Sequence, residues 1–459
     1  MYMKRGVLLI IGIVFLLIFG IIIFLFARGG NKSVVSPVVK VWAPFDEKKV
    51  YDELTKPFLE VNPGVSVEFK YIEATDAKEY EAKVVDAIAS GTGPDVWLIR
   101  TDWLPKHAPK LSVMPKDLTW DLERGEEEKE GLVRIFSKAI IDQNSFQGAI
   151  YGFPLAVDSL ALYANDKAIE RIQKELSDAD NPAADVLDEY PKTWSDLEAW
   201  VRAITRKNKT AITQPAIALG TLSNTYAATD VYNAMLAQFG GNIYNTPTEV
   251  ALHLALGDGS IPASQALALY TSFSTASHPN YTWNETMGDP VKKFVAGELP
   301  MLIGYSTLES QMLRLDSEIS QVTIVPLPQR SKIVLPTDER TDFAAYWTHV
   351  VPKAGQNQLL AWEYVNFLIS EENQGLYAEK TLKSPYLDVN QNEPAIIEET
   401  GMGQSSVFPR QVLNAPAILK PEWQFVDQTI QSMIRSAQAG LLSVQAAVDT
   451  AAQQLKDAQ

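Results

Sequence analysis

In residues 38–100, VVKVWAPFDEKKVYDELTKPFLEVNPGVSVEFKYIEATDAKEYEAKVVDAIASGTGPDVWLIR, two hydrophobic periods alternate. Val38, Val39, Val41 and Trp42 form a short apolar run suited to a buried strand, and Asp46 to Val61 then carries Val50, Leu54, Phe58 and Val61 at helical spacing. Pro57 is expected to kink or break that helix. Asn62, Pro63 and Gly64 stop it, and Val65, Val67, Phe69 and Tyr71 alternate with polar residues as a second strand. Tyr80, Val84 and Ile88 give the next helical stripe, with Gly91 as its C-terminal stop, and Val96 to Ile99 is wholly apolar. Strand, helix, strand, helix, strand predicts the start of a parallel sheet covered by helices.

The same grammar continues downstream. Thr193, with Asp196 three residues on, caps a helical face of Leu197, Trp200, Val201 and Ile204. Met301 to Ile303 is an apolar run after Pro300, and Trp347, Val350 and Val351 precede the helical stripe Leu360, Tyr364, Phe367 and Leu368. Two C-terminal helices follow, through Phe425, Thr429 and Met433 and through Val444, Val448, Ala451 and Leu455, the second capped by Ser443.

Upstream, Val7 to Ala27 holds 21 consecutive apolar or glycine residues, which as a helix rise about 31 Å, one hydrocarbon core. Leu25 makes a poor signal-cleavage site two positions before Ala27, so an uncleaved single-pass anchor is expected over a cleaved signal peptide. Lys4 and Arg5 favour the short tail staying inside, which puts the globular part on the extracytoplasmic side of the cell membrane. Residues 28–37 then read as a tether.

The chain has 459 residues, 46% hydrophobic and 21% charged, so it is globular and long enough for two or three domains. Its formal charge is -16, and -19 without residues 1–30, which repels phosphate backbones and argues against nucleic acid as a partner. Cysteine is absent, which excludes disulfides, thiolate metal sites, a cysteine nucleophile and a lipidated cysteine. His107, His253, His278 and His349 lie far apart, so no zinc site is expected. Asp388, Asn390, Asn392 and Glu399 have the spacing of a calcium loop, but Glu393 stands where the turn needs glycine. No Walker A, G-x-S-x-G or G-x-G-x-x-G pattern is present, and neither catalytic residues nor a cofactor are assigned.

Aromatic residues beside acids are the better clue. Trp42 and Phe45 adjoin Asp46, Trp97 and Trp103 adjoin Asp102, Tyr151 and Phe153 precede Asp158, and Tyr346 and Trp347 follow Asp342, all at predicted strand ends or loops. Such ends border the ligand crevice of open α/β sheets. A flat apolar face with carboxylates that accept from hydroxyls suits a sugar, and the same pair suits an ammonium group.

Four segments, in order, resemble the extracytoplasmic solute-binding proteins of ABC importers, in the branch of maltose-binding-protein-like sugar binders. They are Ala87 to Leu98 (AIASGTGPDVWL), Tyr151 to Asp166 (YGFPLAVDSLALYAND), Phe294 to Ser306 (FVAGELPMLIGYS) and His349 to Tyr377 (HVVPKAGQNQLLAWEYVNFLISEENQGLY). The resemblance implies an α/β chain of two Rossmann-like lobes with a hinge, periplasmic binding protein-like of type II, preceded by the one N-terminal transmembrane helix. Residues 1–37 would be tail, anchor and tether, 38–153 with 346–393 the first lobe, and 158–342 with 400–459 the second. The crossings are expected near Phe153 to Val157 and Phe343 to Tyr346.

The resemblance further implies a binder rather than an enzyme, which captures a mono- or oligosaccharide between its lobes and delivers it to ABC permease subunits. A polyamine or other small cation is the alternative ligand; an anchored glycoside hydrolase or a sensor module is the alternative class. The soluble part is expected to be monomeric. Position by position, Asp46, Asp102 and Asp158 match binding acids of the family, with Phe45, Trp103, Trp283, Tyr305, Ser306, Tyr346 and Trp347 as the other candidate ligand-binding residues. Glu47, Trp103 and Thr307 depart from the maltose binder's lysine, arginine and tryptophan, which makes maltose itself doubtful.

Overall fold

The computed structural model describes residues 37–46, 48–115, 136–209, 211–331, 340–381, 383, 400–401 and 406–459. The anchor run Val7–Ala27 and the calcium-loop spacing Asp388–Glu399 lie outside them. Among the described residues no helix is long and apolar enough to cross a membrane.

The opening stretch folds as strand β1 (Val38–Ala43), helix α1 (Lys48–Val61), β2 (Ser66–Tyr71), α2 (Ala77–Ala89) and β3 (Val96–Arg100). Pro57 sits inside α1 without ending it. Asp76 caps α2 by accepting from the Glu79 N–H, and Gly91 follows the helix with φ +73°, a conformation that favours glycine. Both β2 and β3 pair with β1 in parallel, as the alternation predicts.

Two later strands complete this sheet, one of them in the opposite sense. Strand β8 (Trp347–Val350) lies antiparallel to β3 and to β4 (Gly152–Phe153), giving the order β2-β1-β3-β8-β4. A Cβ on Gly152 would stand 2.5 Å from the His349 carbonyl oxygen, so glycine permits the close approach of β4. Beneath the sheet, Val39, Val41, Leu54, Phe58 and Leu98 pack with Trp362, Val365 and Leu368 of α6 (Gln358–Leu368) in one buried cluster.

The second sheet is antiparallel among its named strands, where the sequence grammar predicts more parallel pairing. Strand β5 (Ala161–Asn165) is flanked by β6 (Met301–Gly304) and β7 (Val322–Pro326), and β9 (Thr400–Gly401) pairs with β7. Long excursions, not single crossover helices, separate β5 from β6, so the parallel-crossover geometry does not apply. Those excursions include α3 (Trp194–Ile204), closed by a Thr193–Asp196 capping box, and α4 (Ala228–Gln238). Trp200, Tyr232, Leu267 and Ile303 share their core with Ile430 and Val448, from α9 (Trp423–Gln438) and α10 (Val444–Asp457). Ser443 caps α10 by accepting from the Ala446 N–H.

The two sheets are joined by paired segments. Phe153 pairs with His349 in the first sheet, Ala161 with Gly304 and Pro326 in the second, and between them Ser159 bridges Ala344 while the Leu160 N–H donates to the Phe343 carbonyl. A third connection is α8 (Val407–Val412), whose Val407 and Phe408 pack with the second sheet and whose Val412 packs with the first.

Candidate functional site

The candidate site is built on strand ends of the two sheets and the residues that follow them. Strands β1 and β3 end at Ala43 and Arg100, β8 begins beside Arg100 at Trp347, and on the other side β6 ends at Gly304 before Tyr305 and Ser306. Parallel β1 and β3 place their C-terminal ends at one edge, which gathers Phe45, Asp46, Asp102 and Trp103 there.

Aromatic rings cluster at the first sheet's strand ends. Trp347 is half-buried and meets Phe45 at 5.2 Å, Trp103 at 5.3 Å and Tyr80 at 5.8 Å, each edge to face. Trp103 is buried and stacks on Trp423 of α9 at 4.7 Å. These geometries complement the ring quadrupoles.

Asp46 has φ +72°, a left-handed conformation that a non-glycine residue adopts at some cost. Its Oδ2 accepts from the Tyr377 hydroxyl at 2.6 Å, and its Oδ1 meets the Lys383 ammonium at 2.5 Å. Tyr377 belongs to α7 (Glu371–Thr381).

A second ionic group links the end of β3 with α4 and α9. Arg100 donates to Asp102 through Nε at 3.0 Å and Nη2 at 3.2 Å, and its Nη2 also reaches Asp230 of α4 at 3.3 Å. The Tyr305 hydroxyl donates to the same Asp230 at 2.8 Å. Lys420, fully buried, lies 2.9 Å from Asp102 and 2.8 Å from Asp427 of α9. Burial pushes the Asp102 carboxyl up, but Arg100 and Lys420 outweigh it and hold the group well below the usual carboxylate range. The Asp102 carboxylate is thus spent on two cations in this form.

Asp158 differs. It is half-buried, its Oδ1 accepts from the N–H groups of Ser159 and Ser306, and its Oδ2 accepts from the Ser306 hydroxyl. Ser306 immediately precedes helix α5 (Thr307–Leu315), so Asp158 places a carboxylate at that helix N-terminus, where the dipole favours it. Burial nevertheless pushes its carboxyl up to about 7, against the pull of the Ser306 and Ser159 donors. From the sequence Asp158 is expected to face the cleft, with a helix-cap acid as the alternative; the structure gives it contacts at a helix start.

Of the remaining candidates, Tyr305 and Ser306 join these groups, Tyr346 is buried with its hydroxyl accepting from Asn144, and Trp283 is wholly buried against the second sheet with its indole N–H on the Asn224 carbonyl. Asp342 is likewise interior, paired with Arg340 at 2.8 Å. Sequence reasoning did not single out Arg100, Asp230, Tyr377, Lys383 and Lys420. Only Arg100 carried a local signal, its place at the end of an apolar strand two residues before an acid.

Comparison with protein families matches residues 53–402 to the family described as bacterial extracellular solute-binding protein. Among solved structures, the chain is similar to an ABC transporter solute-binding protein from Thermotoga lettingae bound with alpha-D-tagatose, with TM-score 0.65 and 19% identity over 92% of this chain and 99% of that one. A cyclo/maltodextrin-binding protein complexed with maltotetraose gives TM-score 0.67 and 17% identity over 93% and 98% of the two chains. The sugar-binding protein MalE from Xanthomonas citri gives 0.67 and 18% over 92% and 96%. At these identities the likeness is one of fold, the two-lobe α/β architecture described above.

Proposed function

This chain belongs to the bacterial extracellular solute-binding proteins, and from that premise we propose that it is the substrate-binding protein of an ABC importer, capturing a carbohydrate between its lobes without transforming it. The observation that carries the reading is the convergence of half-buried Trp347 and Phe45 with Asp46 on one sheet edge, while Asp158 and Ser306 stand on the other. Apolar sugar faces would stack on the rings and a hydroxyl would donate to Asp158 Oδ2, which accepts from the Ser306 hydroxyl in this form. The sugars named in the similar solved structures are consistent with that class.

We assign residues 38–153 with 346–393 to the first lobe and 158–342 with 400–459 to the second, supported by sheet membership. The paired segments around Ser159 and Ala344 would serve as the hinge, and closure would present the loaded protein to permease subunits. Val7–Ala27 is proposed as the membrane anchor on the strength of its unbroken apolar run, with the lobes extracytoplasmic.

A thermal-shift panel of neutral mono- and oligosaccharides on the full-length protein tests the binding class. A ligand at about 100 times its Kd stabilises by about 2.7 kcal/mol, and the same incubation returns the sugar uncleaved. Release of shortened products would replace the binder with a hydrolase. For the anchor, the protein stays with membranes through carbonate washing; a mature N-terminus near residue 28 would overturn it.

A further inference from the structure

Asp46, Tyr377 and Lys383 form a closed triangle. The Lys383 ammonium lies 2.5 Å from Asp46 Oδ1 and 2.9 Å from the Tyr377 hydroxyl, while that hydroxyl donates to Asp46 Oδ2. The same ammonium sits 3.9 Å from the centre of the Phe45 ring and 5.2 Å from that of Tyr377. A carboxylate, a phenol oxygen and two aromatic rings around one ammonium are the chemistry that recognises a primary amine of any origin. Here the amine belongs to the chain.

We propose that Phe45, Asp46 and Tyr377 form an ammonium pocket that Lys383 keeps filled, and that this tethered occupant excludes cationic solutes from the cleft. Without it Asp46 and the two rings would select them. Asp46 is nearly buried and has Lys383 as its ion-pair partner. Removing the one ammonium therefore leaves a nearly buried carboxylate without its cation. A tethered group competes at an effective concentration on the order of millimolar or more, so a free amine at lower concentration does not displace it. Burial lowers the lysine's pKa and Asp46 opposes that shift, as a paired interior ammonium requires. The strained φ of Asp46 is held by contacts from a helix more than 300 residues further on. The exclusion half of this proposal rests on the reading of the cleft as a solute site; the pocket itself does not.

The test compares full-length wild type, Lys383→Ala and Lys383→Met by thermal melting in ethylammonium chloride, with sodium chloride at matched ionic strength as the reference. Lys383→Ala is expected to melt lower than wild type and to regain about 2 °C or more with saturating ethylammonium. Lys383→Met, which refills the space without charge, should melt lower and regain less, and wild type should not respond. Ethylammonium acting no better than sodium on both variants, or equally on wild type, overturns the pocket. A second arm uses spermidine on wild type, which needs no variant to fold: stabilisation beyond the salt reference overturns the exclusion. If amine rescue holds while no neutral saccharide binds, the carbohydrate reading fails and the pocket stands.

Discussion

Arg100 Nη2 lies 3.3 Å from Asp230 Oδ2, and this pair ties the end of β3 in the first sheet to α4, which packs in the core of the second. If solute enters between the proposed lobes, the contact must part. Asp230→Asn keeps an acceptor for Arg100 and Tyr305 but removes the charge, so the unliganded protein should open more readily. Small-angle scattering should show a larger radius of gyration than wild type without ligand, and a saturating ligand should bring the two together. Identical curves without ligand would show that the pair does not hold the lobes.

Lys420 is a costly charge to remove. It is fully buried between Asp102 and Asp427, so Lys420→Met leaves two acids with one fewer cation in a dry site. Breaking a buried pair from one side costs about 3–5 kcal/mol. Urea denaturation should register a loss of that order, and adding Asp102→Asn should recover part of it. Strict additivity of the two changes would mean the groups are not coupled.

Asp158 supports both a helix start and the proposed site. Asp158→Ala deletes the acceptor of three hydrogen bonds and should lower unliganded stability by about 1–2 kcal/mol, while also weakening solute binding. Asp158→Asn can keep its oxygen on the two backbone N–H groups and turn its amide toward the Ser306 hydroxyl, so its stability should stay near wild type. Calorimetric titration of both variants separates the roles: a drop in affinity in the asparagine variant belongs to binding alone.

Two buried groups give opposite slopes with pH. His349 accepts or donates at Nε2 with the Tyr51 hydroxyl, and burial pulls its pKa down from 6.5 to about 4. Its stabilising contribution is complete above about 6.5 and is lost as pH falls toward 4, which amounts to about 2 kcal/mol by pH 5. Asp158, raised from 3.8 to about 7, binds its proton more tightly when folded, so its contribution is complete below about 4 and is lost as pH rises through 7. The two slopes largely cancel between about pH 4.5 and 6.5, so denaturant midpoints should rise with pH in Asp158→Asn and fall with pH in His349→Phe. An unchanged profile in His349→Phe would refute the histidine assignment.

What could be read from the sequence was local. Valine and isoleucine runs, the Thr193–Asp196 box, the Ser443 cap and Gly91 each act within a few residues, so their consequences appear as spacing. Sheet direction in the second lobe was not legible, because β5 finds its partners only after long excursions. The site's charges were less legible still. Asp230 lies 130 positions from Arg100, and Lys383 lies 337 from Asp46. A charge pair leaves no periodic trace, so an acid such as Asp102 looks free until the fold supplies its cations. Buried Trp283 and half-buried Trp347 are equally alike in sequence; only packing distinguishes them.

The place of β8 between β3 and β4 also constrains how the chain is made. Residues 101–346 must leave the ribosome before β3 can meet its antiparallel neighbour, and at about 5–20 residues per second this takes roughly 12–50 s. Throughout that interval the apolar strand Val96–Arg100 presents a row of unpaired N–H and C=O groups, a template for association with another nascent chain. The sheet begun first at the N-terminal side closes after β5, β6 and β7 have all been synthesised, so the interval before residue 347 emerges is when a chaperone has most to shield.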